Sequence, residues 1–282
     1  MTAIVGILNR QGIAFAADSA ATLTVSSTHK ITNHANKIFE LSKIEPIGIA
    51  MYGNMNLMKL SWEQIIKMYR KRLADTKFDS LEEYATHFFT YVRNLIAPNQ
   101  DNIYTQNQIR FFVNSFYDEI IKLANDKLKE KSKELSDENI VVTMMDVMKS
   151  ISDSYKQKDT CLDCKNLTLE SFTDTCDEYV SSKLAQCLSV ENCFIVRSTT
   201  HVYASSTGLV FFGYGDKELM PSYHSYTISE LFEDKLKIVK NGDYVVDGNN
   251  GACLTPFAQT DVTNTVVRGI DDELRSVFYE KN

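Results

Sequence analysis

No apolar run in this chain approaches the length of about 20 residues that a helix needs to cross a bilayer, so no membrane association is expected. No cluster of lysines and arginines is present to track a phosphate backbone. The net charge is −7, and nucleic acid is not expected as a partner. The first residues lack the basic region, apolar core and cleavage site of a signal peptide. The five histidines are scattered, with no HExxH motif and no obvious Cys–His pair. A glycine-rich phosphate loop is missing too: Gly213-x-Gly215 lies between two strand-like stretches, where it makes a turn. Repeats and low-complexity segments are absent. The six cysteines, Cys161, Cys164, Cys176, Cys187, Cys193 and Cys253, are unevenly spread. Without an export signal they read as reduced thiols, which suits a cytoplasmic protein. Cys161-x-x-Cys164, with Cys176 and Cys187, has half of a zinc-knuckle pattern. A regular second pair is missing and His201 is distant in sequence, so no metal is assigned.

What is present is an ordinary globular balance over 282 residues, 44% hydrophobic and 24% charged, enough for one large domain or two small ones. Residues 3–8 and 13–17 read as two short strands around the turn Asn9-Arg10-Gln11-Gly12. NKIFEL and GIAMYG continue the strand character as far as Gly53. The period then changes. Met58, Trp62, Ile65, Ile66, Tyr69 and Leu73 make one helical stripe, and Leu81, Tyr84, Phe88, Val92 and Leu95 make a second. Ser80 and Glu83 fit a capping box before the second stripe, and Pro98 ends it. A third helix is expected over 106–130, with Ile109, Phe112, Val113, Phe116, Ile120 and Leu123 inward. Further helices are expected near 139–155 and 169–187. Strands are expected at 201–214, 219–228 and 236–246, and a last helix over 256–277 with Phe257, Val262, Val266, Val267 and Ile270 as its apolar positions. Strands, helices, strands and a helix in that order argue for α+β with largely antiparallel sheets.

Within the first strands, three side chains carry chemistry. Thr2 follows Met1 and is small enough for Met1 to be removed. A threonine at the start of a chain carries its own base, an α-amino group with a pKa of roughly 7.7 to 8.0. Asp18 follows five apolar residues, as a turn residue or as a carboxylate held by a partner. Lys37 is either a solvated edge lysine or an ammonium beside Thr2, where it would favour the alkoxide and keep the free amine neutral.

The start with Thr2, AADS at the end of the second strand, and NKIFEL followed by GIAMYG together resemble proteasome β-subunits and their bacterial relatives, the N-terminal nucleophile (Ntn) hydrolases. The resemblance covers residues 2–55, with a weaker echo at 209–228. It implies a four-layer αββα fold, here one Ntn-hydrolase domain over 1–282 with a helical insertion at about 98–190. It implies a threonine-type peptidase or amidohydrolase that needs no cofactor, acts on a peptide or protein substrate and assembles as a homo-oligomer. Thr2 would be the nucleophile, Lys37 its activator and Asp18 the partner of Lys37. The Gly53 N–H would hold the oxyanion, since a glycine lets the backbone approach the substrate closely. Ala21, Ala35, Phe39, Met51 and Met55 would line an apolar specificity pocket, although Phe39 and Met51 equally suit a sheet core, and Thr22 would pair with the substrate backbone. The chain departs from the family after the last helix, where a further Asp and Ser are assigned no counterpart. Two other readings stand beside this one: a noncatalytic scaffold or partner-binding protein of the same fold, and a small-molecule amidase or transpeptidase with the same nucleophile.

Overall fold

The computed structural model describes residues 2–25, 28–32, 35–58, 60–96, 102–130, 137–155, 168–174, 194–195, 206–230, 236–270 and 275. The chain is mixed α+β and divides into two compact units. One comprises residues 1–92, 207–227 and 240–282; the other comprises 93–206 and 228–239.

The first unit begins with β1 (Ala3–Asn9) and β2 (Gly12–Ala17), a hairpin whose turn closes on Asn9. The Asn9 side-chain oxygen accepts from the N–H groups of Gln11 and Gly12, a local bond that suits Asn to turns. β3 (Ala21–Val25) and β4 (Thr28–Thr32) form a separate antiparallel hairpin. β5 (Ile38–Glu40) and β6 (Gly48–Gly53) follow, then the short pair β7 (Asn56–Leu57) and β8 (Leu60–Ser61). α1 (Trp62–Leu73) starts on a full capping box: Ser61 accepts from the Gln64 N–H, and Gln64 accepts from the Ser61 N–H. α2 (Leu81–Ile96) has a displaced version of the expected box. Ser80 accepts from the Glu83 N–H, but Glu83 reaches the N–H of Asp79 rather than that of Ser80.

The later strands are β9 (Thr207–Gly213), β10 (Ser222–Glu230), β11 (Leu236–Val245) and β12 (Ala252–Ala258). Two main sheets result, one ordered β12-β1-β2 and the other β11-β10-β9-β6-β5. Their inner faces meet in one core, where Ile4 and Phe257 pack with Ala50 and Val210, flanked by Phe15, Ile38 and Phe212. Phe15 stacks on Phe212 with ring centroids 4.0 Å apart. Gly6 leaves space for this: Gly6 lies opposite Phe15, and a Cβ there would collide with the ring. Strand alternation sends Ile49, Met51, Leu209 and Phe211 to the other face of the larger sheet. There α2 covers Phe211 through Phe88 and Phe89, both buried, with Tyr226 beside them. The outer face of the smaller sheet leaves Ile7 and Leu254, a cross-strand pair, largely open at 49% and 44% exposure.

In the second unit, α3 (Asn102–Glu130) packs on α4 (Asp137–Tyr155). Phe112, Val113, Phe116, Ile120, Ala124 and Leu128 form the buried stripe of α3 against Met144, Val147 and Met148. Leu123, expected inward, is 38% exposed, because the stripe proceeds in steps of four from Ile120 and places Ala124 and Leu128 inside. α5 (Leu169–Asp174) is the described part of the helix expected over 169–187.

Two other expectations are corrected. Met58 does not belong to α1; it sits at φ 55 in the turn between β7 and β8. The helix expected from Pro256 is a strand as far as Ala258, because residues 252–258 pair with all seven residues of β1. α6 begins only at Asp261 and ends at Arg268, and it leaves Val266 and Val267 exposed. Pro98, His201 and all the cysteines but Cys253 lie outside the described residues. Among the described residues no helix is long and apolar enough to cross a membrane, and no cluster of His, Cys, Asp and Glu would hold a metal.

Candidate active site around Thr2

Thr2 leads into β1, and its backbone is held by two loops. Its C=O accepts from the Gln259 N–H at 3.0 Å, just beyond β12. The next N–H, that of Ala3, donates to Asp18 Oδ1 at 3.0 Å, and the Asp18 N–H donates back to the Ala3 C=O at 3.1 Å. Asp18 follows the last residue of β2, so the β1–β2 register itself brings it beside the chain start.

Lys37 lies one residue before β5, opposite Met51, whose N–H donates to the Lys37 C=O at 2.8 Å. Its side chain is buried. The ammonium donates to Thr2 Oγ1 at 3.0 Å, to Asp18 Oδ1 at 2.8 Å and to the Ala20 C=O at 2.6 Å. A lysine has three N–H donors, and here each has an acceptor. A buried ammonium is thus fully bonded, which offsets its loss of water. The Thr2 hydroxyl oxygen accepts from Lys37, so its own proton is free to point elsewhere.

Partial burial opposes ionisation of Asp18. The hydrogen bonds from Lys37 and from the Ala3 N–H, with the Lys37 charge, outweigh that and hold the carboxyl below its usual range. Asp18 stays an anion, and Lys37 is oriented by it toward Thr2.

The other expected site residues fall on several separate elements. Gly53 closes β6 opposite Thr207, with φ at 82°, a backbone region that favours glycine. Met51 is fully buried on the helix-facing side of the larger sheet. Ala35 is half-buried, and its N–H donates to the Ser19 C=O, tying the loop before Lys37 to the loop after Asp18. Met55 is half-buried, and its C=O accepts from the Trp62 N–H. Ala21 and Thr22 lie in β3, opposite Thr32 and Ile31. Phe39 lines a cleft of about 230 Å³ together with Ile66 of α1, under the charged Glu40, Lys67 and Arg70. Among the described side chains, those of Ala35, Met51 and Met55 do not line that cleft.

Two groups at the site were not visible in the residue pattern, the Ala20 C=O and the Gln259 N–H. Both are backbone groups, which every residue type supplies, so only the fold reveals them. No protein-family model matches the chain, and no curated protein matches it.

Proposed function

We propose that this chain is an N-terminal threonine hydrolase of the proteasome-like Ntn fold, acting on a peptide or amide bond. The observation that carries the reading is the buried Lys37 ammonium, bonded at once to Thr2 Oγ1, Asp18 Oδ1 and the Ala20 C=O in a partly buried corner. Such a group stabilises negative charge on the hydroxyl oxygen and needs no reorganisation as that charge develops.

In this reading Met1 is removed and the Thr2 α-amine is free. Thr2 Oγ1 attacks the carbonyl carbon while its proton passes to the amine. The Gly53 N–H binds the resulting oxyanion. The C–N bond then breaks, the ammonium returns its proton to the leaving nitrogen, and an ester remains on Thr2. Water, deprotonated by the same amine, releases the acyl group. The rest of the proposal follows the same resemblance: a four-layer αββα sandwich, a cytoplasmic protein, a peptide or protein substrate and a homo-oligomer.

Intact-mass analysis of protein expressed in its natural host, before and after incubation with a β-lactone, tests the mechanism. Loss of Met1 and one adduct mapped to Thr2, absent from Thr2→Ala, are expected. Retained Met1 would sink it.

A further inference from the structure

We propose that Trp62 and Thr207 are positioning residues that lock the turn carrying the Gly53 N–H. The inference rests on the hydrolase reading given above. An oxyanion donor helps only if it is held within a few tenths of an ångström of its productive position, and a glycine at a strand end is the least constrained of residues. Something must therefore fix the chain on both sides of Gly53.

On one side β6 does so, through its ladder with β9 up to the Gly53–Thr207 pair. On the other side a buried relay does. The Trp62 indole N–H donates to Thr207 Oγ1 at 2.8 Å, and the Thr207 hydroxyl donates to the Asn54 C=O at 2.6 Å. The direction is set by chemistry: an indole N–H only donates, so the single hydroxyl proton goes on to Asn54. The Trp62 backbone N–H holds the next carbonyl, that of Met55, at 3.0 Å. Asn54 adds its own turn, its Oδ1 accepting from the Asn56 N–H at 3.0 Å. The two residues following Gly53 thus have both carbonyls tied down by Trp62 and Thr207.

Packing alone does not require this relay. Trp62 is wholly buried and Thr207 is 3% exposed, and a phenylalanine and a valine together would occupy the same layer with neither a buried indole N–H nor a buried hydroxyl to satisfy. A polar pair kept in an apolar layer, ending on the turn beside Gly53, fits a positioning role. Trp62 is also the only tryptophan of the chain, so its indole N–H gives a single, assignable resonance.

Two probes of Thr2 separate this role from a general structural one. A β-lactone reacts through a tetrahedral oxyanion: Thr2 Oγ1 bonds to the carbonyl carbon, the ring C–O bond breaks and the proton ends on the released hydroxyl. A peptide vinyl sulfone reacts by conjugate addition, with the proton ending on the carbon beside the sulfur, and forms no carbonyl oxyanion. Thr207→Val is expected to slow β-lactone labelling by about 10- to 100-fold, since one oxyanion donor is worth about 10²–10³. Vinyl sulfone labelling should change by less than about twofold, and Thr207→Ser should restore the lactone rate. Trp62→Phe, which keeps the Thr207–Asn54 bond, should show the same selectivity to a smaller extent. If Thr207→Val does not fold, Trp62→Phe and Thr207→Ser carry the comparison. In the wild type, the indole N–H resonance should shift when the lactone acylates Thr2. Equal slowing of both probes, or no slowing of either, would overturn the inference while leaving the hydrolase intact. Wild-type protein that takes neither probe would remove the hydrolase reading and the inference with it.

Discussion

Two corners of the first unit bring a cation, a carboxylate and a third polar group together, one around Lys37 and one around His224. At the first, the buried ammonium has an acceptor for every proton, and one of those acceptors is a hydroxyl. At the second, His224 is 6% exposed, and its Nδ1 makes no hydrogen bond among the described residues and lies 3.6 Å from Asp243 Oδ2. Asp243 instead holds Lys240 at 2.6 Å, and Lys240 also faces Glu82 at 3.7 Å. Charges gather at both places, but the first directs its cation at a hydroxyl oxygen, the atom proposed to react. Charge proximity alone does not make a site. A site also needs a nucleophile whose neighbours are already satisfied, so that new charge on it is the one thing left to stabilise.

The largest effect expected from breaking this contrast is at Lys37. Lys37→Met keeps most of the buried stem and removes the ammonium. Asp18 loses its cation but is 37% exposed, so water can solvate it and the fold should survive. Labelling of Thr2 by a β-lactone should fall by at least about 10²-fold, on the scale of a lost charge-stabilising donor. Mass spectrometry over time measures this. An unchanged rate would leave the Lys37 corner with no more claim to be a site than the His224 corner.

Asp18→Asn comes next. An Asn oxygen can still accept from the Ala3 N–H and from Lys37, so the geometry is retained while the charge is lost. A drop of about tenfold in labelling is expected, smaller than for Lys37→Met because the donor to Thr2 remains. The stability difference between wild type and variant has a defined pH dependence. The Asp18 carboxyl is held below its ordinary value of 3.8 in the folded chain. Its stabilising contribution is therefore present above that value and is lost as the pH falls through the lower, folded one. Urea midpoints of the two proteins should converge at strongly acidic pH.

A third effect concerns the reaction rather than the fold. Because Asp18 remains ionised throughout the neutral range, the acid limb of Thr2 labelling should belong to the α-amine. The rate should rise as a single proton is lost, below roughly pH 7.7 to 8.0, the ordinary range of that group, because the Lys37 ammonium beside Thr2 disfavours a second positive charge. A profile that rises only near the carboxylate range would assign the base elsewhere.

The Lys37 corner was largely legible in the sequence. Thr2, Asp18 and Lys37 have distinctive side chains, sit at the ends of short strands and all fall within the first 37 residues. Local hairpin register then suffices to bring the first two together. Longer-range pairing was not legible. β12 has apolar residues at helical spacing running on into α6, and its strand character comes from β1, some 250 residues earlier. The break falls at Ala258, which takes φ 65 before α6 begins, an unusual backbone for alanine that no residue pattern announces. Met58 misled in the same way: it continues the α1 stripe backwards by one turn, yet the capping box at Ser61 and Gln64 marks the true start. The His224 corner left no trace in sequence, since its members come from β10, β11 and α2.

The smallest effect expected is at that second corner, and it sharpens the contrast by leaving Thr2 untouched. Burial is the main cause that holds His224 below its usual pKa, with Lys240 adding to it and Asp243, Glu82 and Glu218 opposing. Well above pH 6.5 the imidazole is neutral in both folded and unfolded chains and contributes nothing to the pH dependence. As the pH falls below 6.5 the unfolded chain takes up a proton that the folded one resists, so stability declines. His224→Gln removes that difference while keeping a polar side chain. The variant should therefore lose less stability than the wild type between pH 8 and pH 5.5. The divergence should be at most about 1.4 kcal/mol per pH unit, the ceiling for one proton. Urea unfolding at the two pH values measures it, and β-lactone labelling in the same samples should match the wild type. Slower labelling in His224→Gln would mean that the two corners are coupled, and that the second belongs to the machinery of the first.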